Sequence, residues 1–121
     1  MTKNKTLVLG ASENTDRYSN KAIRSLVSHQ QEVIAIGNRP GSVAGIEIVT
    51  RPVITDEVDT VTMYLGKPNQ AIYYNYILSI HPRRIIFNPG AENRELAQMA
   101  EAEGIKVMEA CTLVLLATGQ Y

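Results

Sequence analysis

Residues 6–12 read Thr6-Leu7-Val8-Leu9-Gly10-Ala11-Ser12. The first four form an apolar run too short for a buried helix and suited to a strand covered on both faces. Gly10 ends the run. A polar loop follows through Arg17. From Ser19 to Ser28 apolar residues recur at Ala22, Ile23, Leu26 and Val27, the spacing of one helix face. Ser19 is the predicted N-cap, because its hydroxyl can accept from a first-turn amide. A buried strand, a glycine turn and an amphipathic helix together open a βαβ unit.

The rest of the chain repeats the alternation. Glu32 to Ile36 is a second strand, Gly37 to Gly45 its loop, and Glu47 to Val49 a short third strand. Thr60 to Leu65 is a fourth. Pro68 suits the first turn of a following helix, where its missing N–H costs nothing. That helix runs from about Asn69 to Ile80 and carries Ile72, Tyr73, Tyr76, Ile77 and Ile80 on one side. His81-Pro82 stops it. Arg84 to Phe87 is a fifth strand. Asn93 to Glu103 is a helix closed by Gly104, a left-handed C-cap. Lys106 to Glu109 is a sixth strand, and Thr112 to Ala117 is a final short helix or strand. Alternation of this kind gives an α/β fold with a single doubly wound, mainly parallel sheet of the Rossmann type. In such sheets ligands bind beyond the carboxyl ends of the strands.

Bulk properties fit one domain over residues 1–121. Hydrophobic residues make up 45% and charged residues 20% of the 121, ordinary for a globular protein. Twelve basic side chains balance twelve acidic ones, which argues against a general nucleic-acid binder. One cysteine, Cys111, cannot form an internal disulfide, which points to the cytoplasm. The N-terminus from Met1 to Lys5 carries no apolar signal core, and no stretch reaches the roughly 20 apolar residues of a spanning helix.

Four loops on the carboxyl edge are candidates for chemistry. In Gly10-Ala11-Ser12-Glu13-Asn14 the small residues admit a phosphate close to the backbone, and the next helix adds its positive end. The three-glycine dinucleotide fingerprint is absent, and a tight strand-to-helix turn explains a lone glycine equally well. In Gly37-Asn38-Arg39-Pro40-Gly41 no acid stands where an NAD site holds the ribose. Arg39 stands there instead, and a guanidinium suits a ribose phosphate, as in NADP or coenzyme A. Leu65-Gly66-Lys67-Pro68-Asn69 and Asn88-Pro89-Gly90-Ala91-Glu92-Asn93 both precede helices and offer free amides.

With these loops in order, the sequence resembles the coenzyme A-binding family of small Rossmann domains, similar to the nucleotide-binding domain of the succinyl-CoA synthetase alpha subunit. The resemblance rests on Val8-Leu9-Gly10-Ala11-Ser12 with Arg17-Tyr18-Ser19, on Asn38-Arg39-Pro40-Gly41, on Phe87-Asn88-Pro89-Gly90 and on Cys111-Thr112, and it spans nearly the whole chain. It implies coenzyme A phosphates on Gly10, Ala11 and Ser12. It places the adenine end near Asn38, Arg39, Pro40 and Leu65, and the pantetheine arm toward Asn88, Pro89 and Gly90. The second loop departs from the Val-Asn-Pro form common in the family. The synthetase's catalytic histidine belongs to a further domain with no counterpart in these residues, so the resemblance implies binding rather than synthesis.

Other residues have duller explanations. Cys111 can meet the coenzyme A thiol and form a mixed disulfide, but a small core side chain is the favoured account. His29 and His81 end helices and have no metal-ligand partners nearby. Glu92, Asn93 and Glu95 suit a helix start. Tyr73 and Tyr76 are packing residues, whereas Tyr74 and Tyr121 are expected on the surface, where they can contribute to a homodimer; a partner enzyme is the other expected associate. The expectation is non-catalytic binding of coenzyme A or an acyl-CoA, with no metal, nucleic acid or membrane. The rivals are an NADP-dependent reductase, or a subunit of one, and an interaction scaffold whose nucleotide site has decayed.

Overall fold

The computed structural model describes residues 4–121; Met1, Thr2 and Lys3 of the N-terminal stretch lie outside them. Strands β1 (Lys5–Ala11), β2 (Glu32–Gly37), β3 (Gly41–Val43), β4 (Ile46–Val49), β5 (Thr60–Met63), β6 (Arg84–Phe87) and β7 (Lys106–Glu109) form one sheet. Its order is β3-β4-β2-β1-β5-β6-β7. Every pairing is parallel except that of β3 with β4. From β1 the chain first builds outward through β2, then returns to build the other way from β5. The order therefore reverses at β1, the place where an open α/β sheet leaves a crevice at its carboxyl edge. This is the Rossmann-like α/β fold that the alternation predicts.

Helices α1 (Tyr18–Ser28) and α4 (Thr112–Ala117) lie on one face, and α2 (Tyr74–Ile80) and α3 (Arg94–Glu101) on the other. The faces separate by parity. Leu7 and Leu9 of β1 join Val61, Met63, Ile85 and Phe87 against Ile77 of α2 and Leu96 of α3. Val8 joins Ala35 and Ile48 against Ile23 and Leu26 of α1 and Leu116 of α4. All four residues of β5 and of β6 are buried, which is why these strands read as continuous apolar or threonine-rich runs rather than alternating ones.

Several elements differ from the sequence expectation. Residues 37–45 are not all loop. Ala44 and Gly45 take φ of +50° and +82°, closing a two-residue hairpin between β3 and β4 of the primed kind. Asn-Gly or Asp-Gly would have announced that turn, and Ala-Gly does not. The fourth strand stops at Met63, two residues early. The helix expected over 69–80 is broken: two single 3-10 turns, Lys67–Asn69 and Ala71–Tyr73, precede α2. Ile72 is consequently exposed rather than packed. Ser19 is not an N-cap. Arg17 occupies that position with no side-chain cap, and Ser19 is buried within the first turn. Asn93 does cap α3, accepting from the Leu96 amide at 3.2 Å. Gly104 turns left-handed at φ +80°. The last segment, left open between helix and strand, is α4.

Neither tyrosine expected at the surface is free there. Tyr74 is half-buried and its hydroxyl takes part in bonds with Asn93 and Glu95. The Tyr121 ring lies 4.6 Å from the guanidinium of buried Arg84, and its hydroxyl bonds Thr6. Among the described residues no helix is long and apolar enough to cross a membrane.

Candidate functional site

The end of β1 is irregular. Leu9 pairs with Ile36 and Ala11 with Gly37, leaving Gly10 as a bulge. Gly10 has φ +97°, a conformation that strains any residue with a Cβ. A Cβ on Gly37 would lie 2.2 Å from the Ala11 carbonyl oxygen. These two positions let the ends of β1, β2 and β5 come together with backbone facing backbone.

The loop after β1 is braced from within. Ser12 Oγ accepts from the Asn14 amide at 3.0 Å, Asn14 Oδ1 accepts from the Asp16 amide at 2.9 Å, and Asn20 Nδ2 donates to the Ser12 carbonyl at 3.0 Å. Asn20 is a buried residue of α1, so the loop is moored to that helix. With its oxygen already accepting, the Ser12 hydroxyl keeps its hydrogen to donate. The uncapped amides of α1 point the helix's positive end in the same direction.

These parts border one cavity of about 1040 Å³ at the carboxyl edge of the sheet. Gly10, Ala11 and Ser12 line it from the first loop, and Arg17, Tyr18 and Ser19 from the start of α1. Asn38, Arg39 and Pro40 contribute from the β2–β3 turn, Leu65 from beyond β5, and Asn88 and Pro89 from beyond β6. Gly90, toward which the pantetheine arm was expected to run, stands outside the lining; its amide donates to Glu92 Oε1 at 3.0 Å. Among the described residues Arg39 makes no ion pair. Tyr18 is exposed, and Lys21 Nζ lies 5.3 Å from its ring centroid.

Asn88 plays a different part from the one its loop suggests. Its Nδ2 donates to Thr62 Oγ1 at 2.7 Å and to the Met63 carbonyl at 3.0 Å, and its Oδ1 accepts from the Thr112 amide at 2.9 Å. The amide is fully engaged in joining β5, β6 and α4 beneath the cavity floor, and its backbone N–H and carbonyl are bonded to the Met63 carbonyl and the Ala91 amide, so Asn88 shapes the floor rather than offering a donor. Buried Gln70 performs a similar task nearby, donating to the carbonyls of Leu65 and Ala91, each at 2.8 Å.

Sequence reasoning passed over several lining residues. Cys111, read as core, is half-buried and borders the cavity. It precedes α4, where the chain crosses the carboxyl edge, and that turn fixes its orientation. Tyr64 also lines the cavity. Its hydroxyl lies beside Thr62 and Thr112 but makes no hydrogen bond of good geometry. Burial pushes its pKa up to about 12, against the pull of the two threonines. The signal was its position just past an apolar run, which a strand drawn to Leu65 concealed. Asp16 joins Glu13 and Asn69, which the candidate loops already contained, in a polar rim.

Residues 4–117 match the family described as CoA binding domain. No curated protein matches the chain. A crystal structure of an uncharacterized protein superposes with a TM-score of 0.96 at 44% identity, each chain covered in full. A hypothetical protein from Pyrococcus horikoshii gives a TM-score of 0.83 at 19% identity, over 93% of this chain and 80% of its own. The dinucleotide forming acetyl-coenzyme A synthetase 1 of Ca. Korarchaeum cryptofilum, in complex with phosphate and ADP, gives 0.69 at 16% identity. There 87% of this chain corresponds to 25% of the larger one.

Proposed function

The chain belongs to the CoA binding domain family, and from that premise we propose that it is a one-domain binder of coenzyme A or an acyl-CoA, acting without catalysis in the cytoplasm. One observation carries the reading: the phosphate-suited loop, the open end of α1 and Arg39, which makes no ion pair among the described residues, border the same cavity. The pyrophosphate lies on Gly10, Ala11 and Ser12, where backbone amides and the helix end favour negative charge. Arg39 meets the ribose phosphate. Exposed Tyr18 stacks on the adenine in this reading, and the pantetheine arm passes Pro89 toward Cys111.

At about 1040 Å³ the cavity lies at the upper end of the range of small-molecule sites and has room for a ligand with a long arm. A thermal-shift series tests the reading with coenzyme A, acetyl-CoA, dephospho-coenzyme A, NADP and ATP. Coenzyme A is expected to raise the melting temperature most, because a ligand bound only by the native state stabilises it by mass action. No shift with millimolar coenzyme A would overturn the proposal, and a larger shift with NADP would replace the ligand.

A further inference from the structure

We infer that Glu13 is a positioning residue that fixes the Arg39 turn against the phosphate loop, and thereby sets a preference for ligands with a ribose phosphate. The inference rests on the coenzyme A reading above.

Glu13 follows Ser12 on the first loop, yet its side chain reaches the hairpin 29 residues further on. Its Oε2 accepts from the Ser42 amide at 2.9 Å. Strand β3 is the edge of the sheet, with β4 on one side only, and Glu13 takes an amide of this edge strand. Gly41 makes room for it. A Cβ on Gly41 would lie 2.2 Å from Glu13 Cδ and 2.6 Å from its Cγ. The stretch Asn38-Arg39-Pro40 is held between this contact and Gly37, which packs on Ala11. The two ends of the arginine turn are thus fastened to the end of β1 and to the loop that follows it.

The seat also answers an electrostatic problem. A carboxylate on the rim of a polyanion site repels phosphate and competes for arginine. Here it is committed to a backbone amide, and among the described residues no ion pair joins Glu13 to Arg17 or Arg39. Arg39 stays available to the ligand.

The test measures affinity for coenzyme A and dephospho-coenzyme A in the wild type and in Glu13→Gln, Glu13→Ala and Gly41→Ala. Glutamine keeps an acceptor for Ser42 and removes the charge, so both affinities should stay at wild-type level or tighten. Alanine at 13, and the Cβ at 41 that evicts Glu13, should each cut the preference for coenzyme A about tenfold, as expected for a displaced charge-assisted bond. Dephospho-coenzyme A affinity should not fall, which a general loss of structure would not spare. An unchanged preference in Glu13→Ala, equal losses for both ligands, or a loss in Glu13→Gln matching that of alanine overturns the inference. A wild type that binds coenzyme A without preferring it over the dephospho form refutes this inference alone, while one that binds neither refutes the coenzyme A reading as well.

Discussion

Gly37 approaches Ala11 so closely that a Cβ on it would lie 2.2 Å from the Ala11 carbonyl oxygen. The contact involves backbone rather than a yielding side chain, and it sits where the ladder of β1 and β2 resumes after the Gly10 bulge. Gly37→Ala should therefore force the two strand ends apart. The expected cost is about 1–3 kcal/mol, the range for overpacking, together with weaker ligand binding because both phosphate-facing loops start there. Urea melts and coenzyme A titrations check both halves. A variant as stable as wild type would show that the strand ends yield freely.

Arg39→Ala separates the ribose phosphate from the rest of the ligand. Hydrogen bonds to charged groups contribute about 1.5–3 kcal/mol, and the exposure of Arg39 pulls toward the lower end. Coenzyme A should bind the variant about 5–30-fold more weakly, while dephospho-coenzyme A should bind both proteins alike. Run on both ligands, the two proteins form a double-mutant cycle that isolates the pairwise term. Equal binding of the two ligands by wild type would reduce Arg39 to a solvated turn residue.

Asn88→Ala tests the cavity floor. It would leave the buried Thr112 amide without the acceptor it now has at 2.9 Å and would remove one of the two bonds of the Thr62 hydroxyl, the other being to the Thr112 hydroxyl at 2.8 Å. An unsatisfied buried group costs about 1–3 kcal/mol, so the midpoint in urea should fall by a matching amount. A midpoint unchanged from wild type would mean that water replaces the amide without penalty.

Cys111 reports on the pantetheine arm. The thiol is half-buried and borders the cavity, so a small alkylating reagent should label it in the free protein. Saturating coenzyme A should slow the labelling, and adenosine 3′,5′-bisphosphate, which lacks the arm, should not. Identical rates with and without coenzyme A would place the arm elsewhere.

At the opposite edge of the sheet Arg83 Nε donates to Asp59 Oδ1 at 2.7 Å and Nη2 to Oδ2 at 3.1 Å. Burial alone would raise the Asp59 pKa, but the bonds from Arg83 and Thr60 and the arginine charge outweigh it and hold the carboxyl below its ordinary 3.8. With the folded pKa below the unfolded one, the contribution is complete above the unfolded value and is lost as pH falls through the folded value. Asp59→Asn should cost less than about 1 kcal/mol at neutral pH, since Arg83 is largely exposed. That deficit should shrink in acid. Denaturant melts at neutral and acidic pH would refute this if the deficit were the same at both.

Much of this protein is legible in its residues because its signals are local. The runs at Thr6–Leu9, Glu32–Ile36 and Arg84–Phe87 read as strands because buried parallel strands need continuous apolar or small side chains. The helix over Ser19–Ser28 follows from its apolar spacing, and Gly104 marks the turn after α3 by the freedom that glycine has. The carboxyl edge as the site of binding follows from topology once the alternation is seen.

Other features depend on contacts that no window of sequence contains. The β3–β4 hairpin exists because β4 finds β2, which stabilises a turn that Ala44-Gly45 would scarcely specify. Cys111 borders the cavity because α4 crosses back over the sheet, and Tyr64 because β5 ends two residues sooner than its apolar run suggests. Glu13 is the sharpest case. By itself it is one more acid in a polar loop, and its role comes from an amide 29 residues away and from the side chain that Gly41 lacks. Sequence determined which segments form strands and helices, since propensity and periodicity act over neighbours. Tertiary structure alone decided which loop residues meet, since that depends on how a parallel sheet brings distant strand ends to one edge.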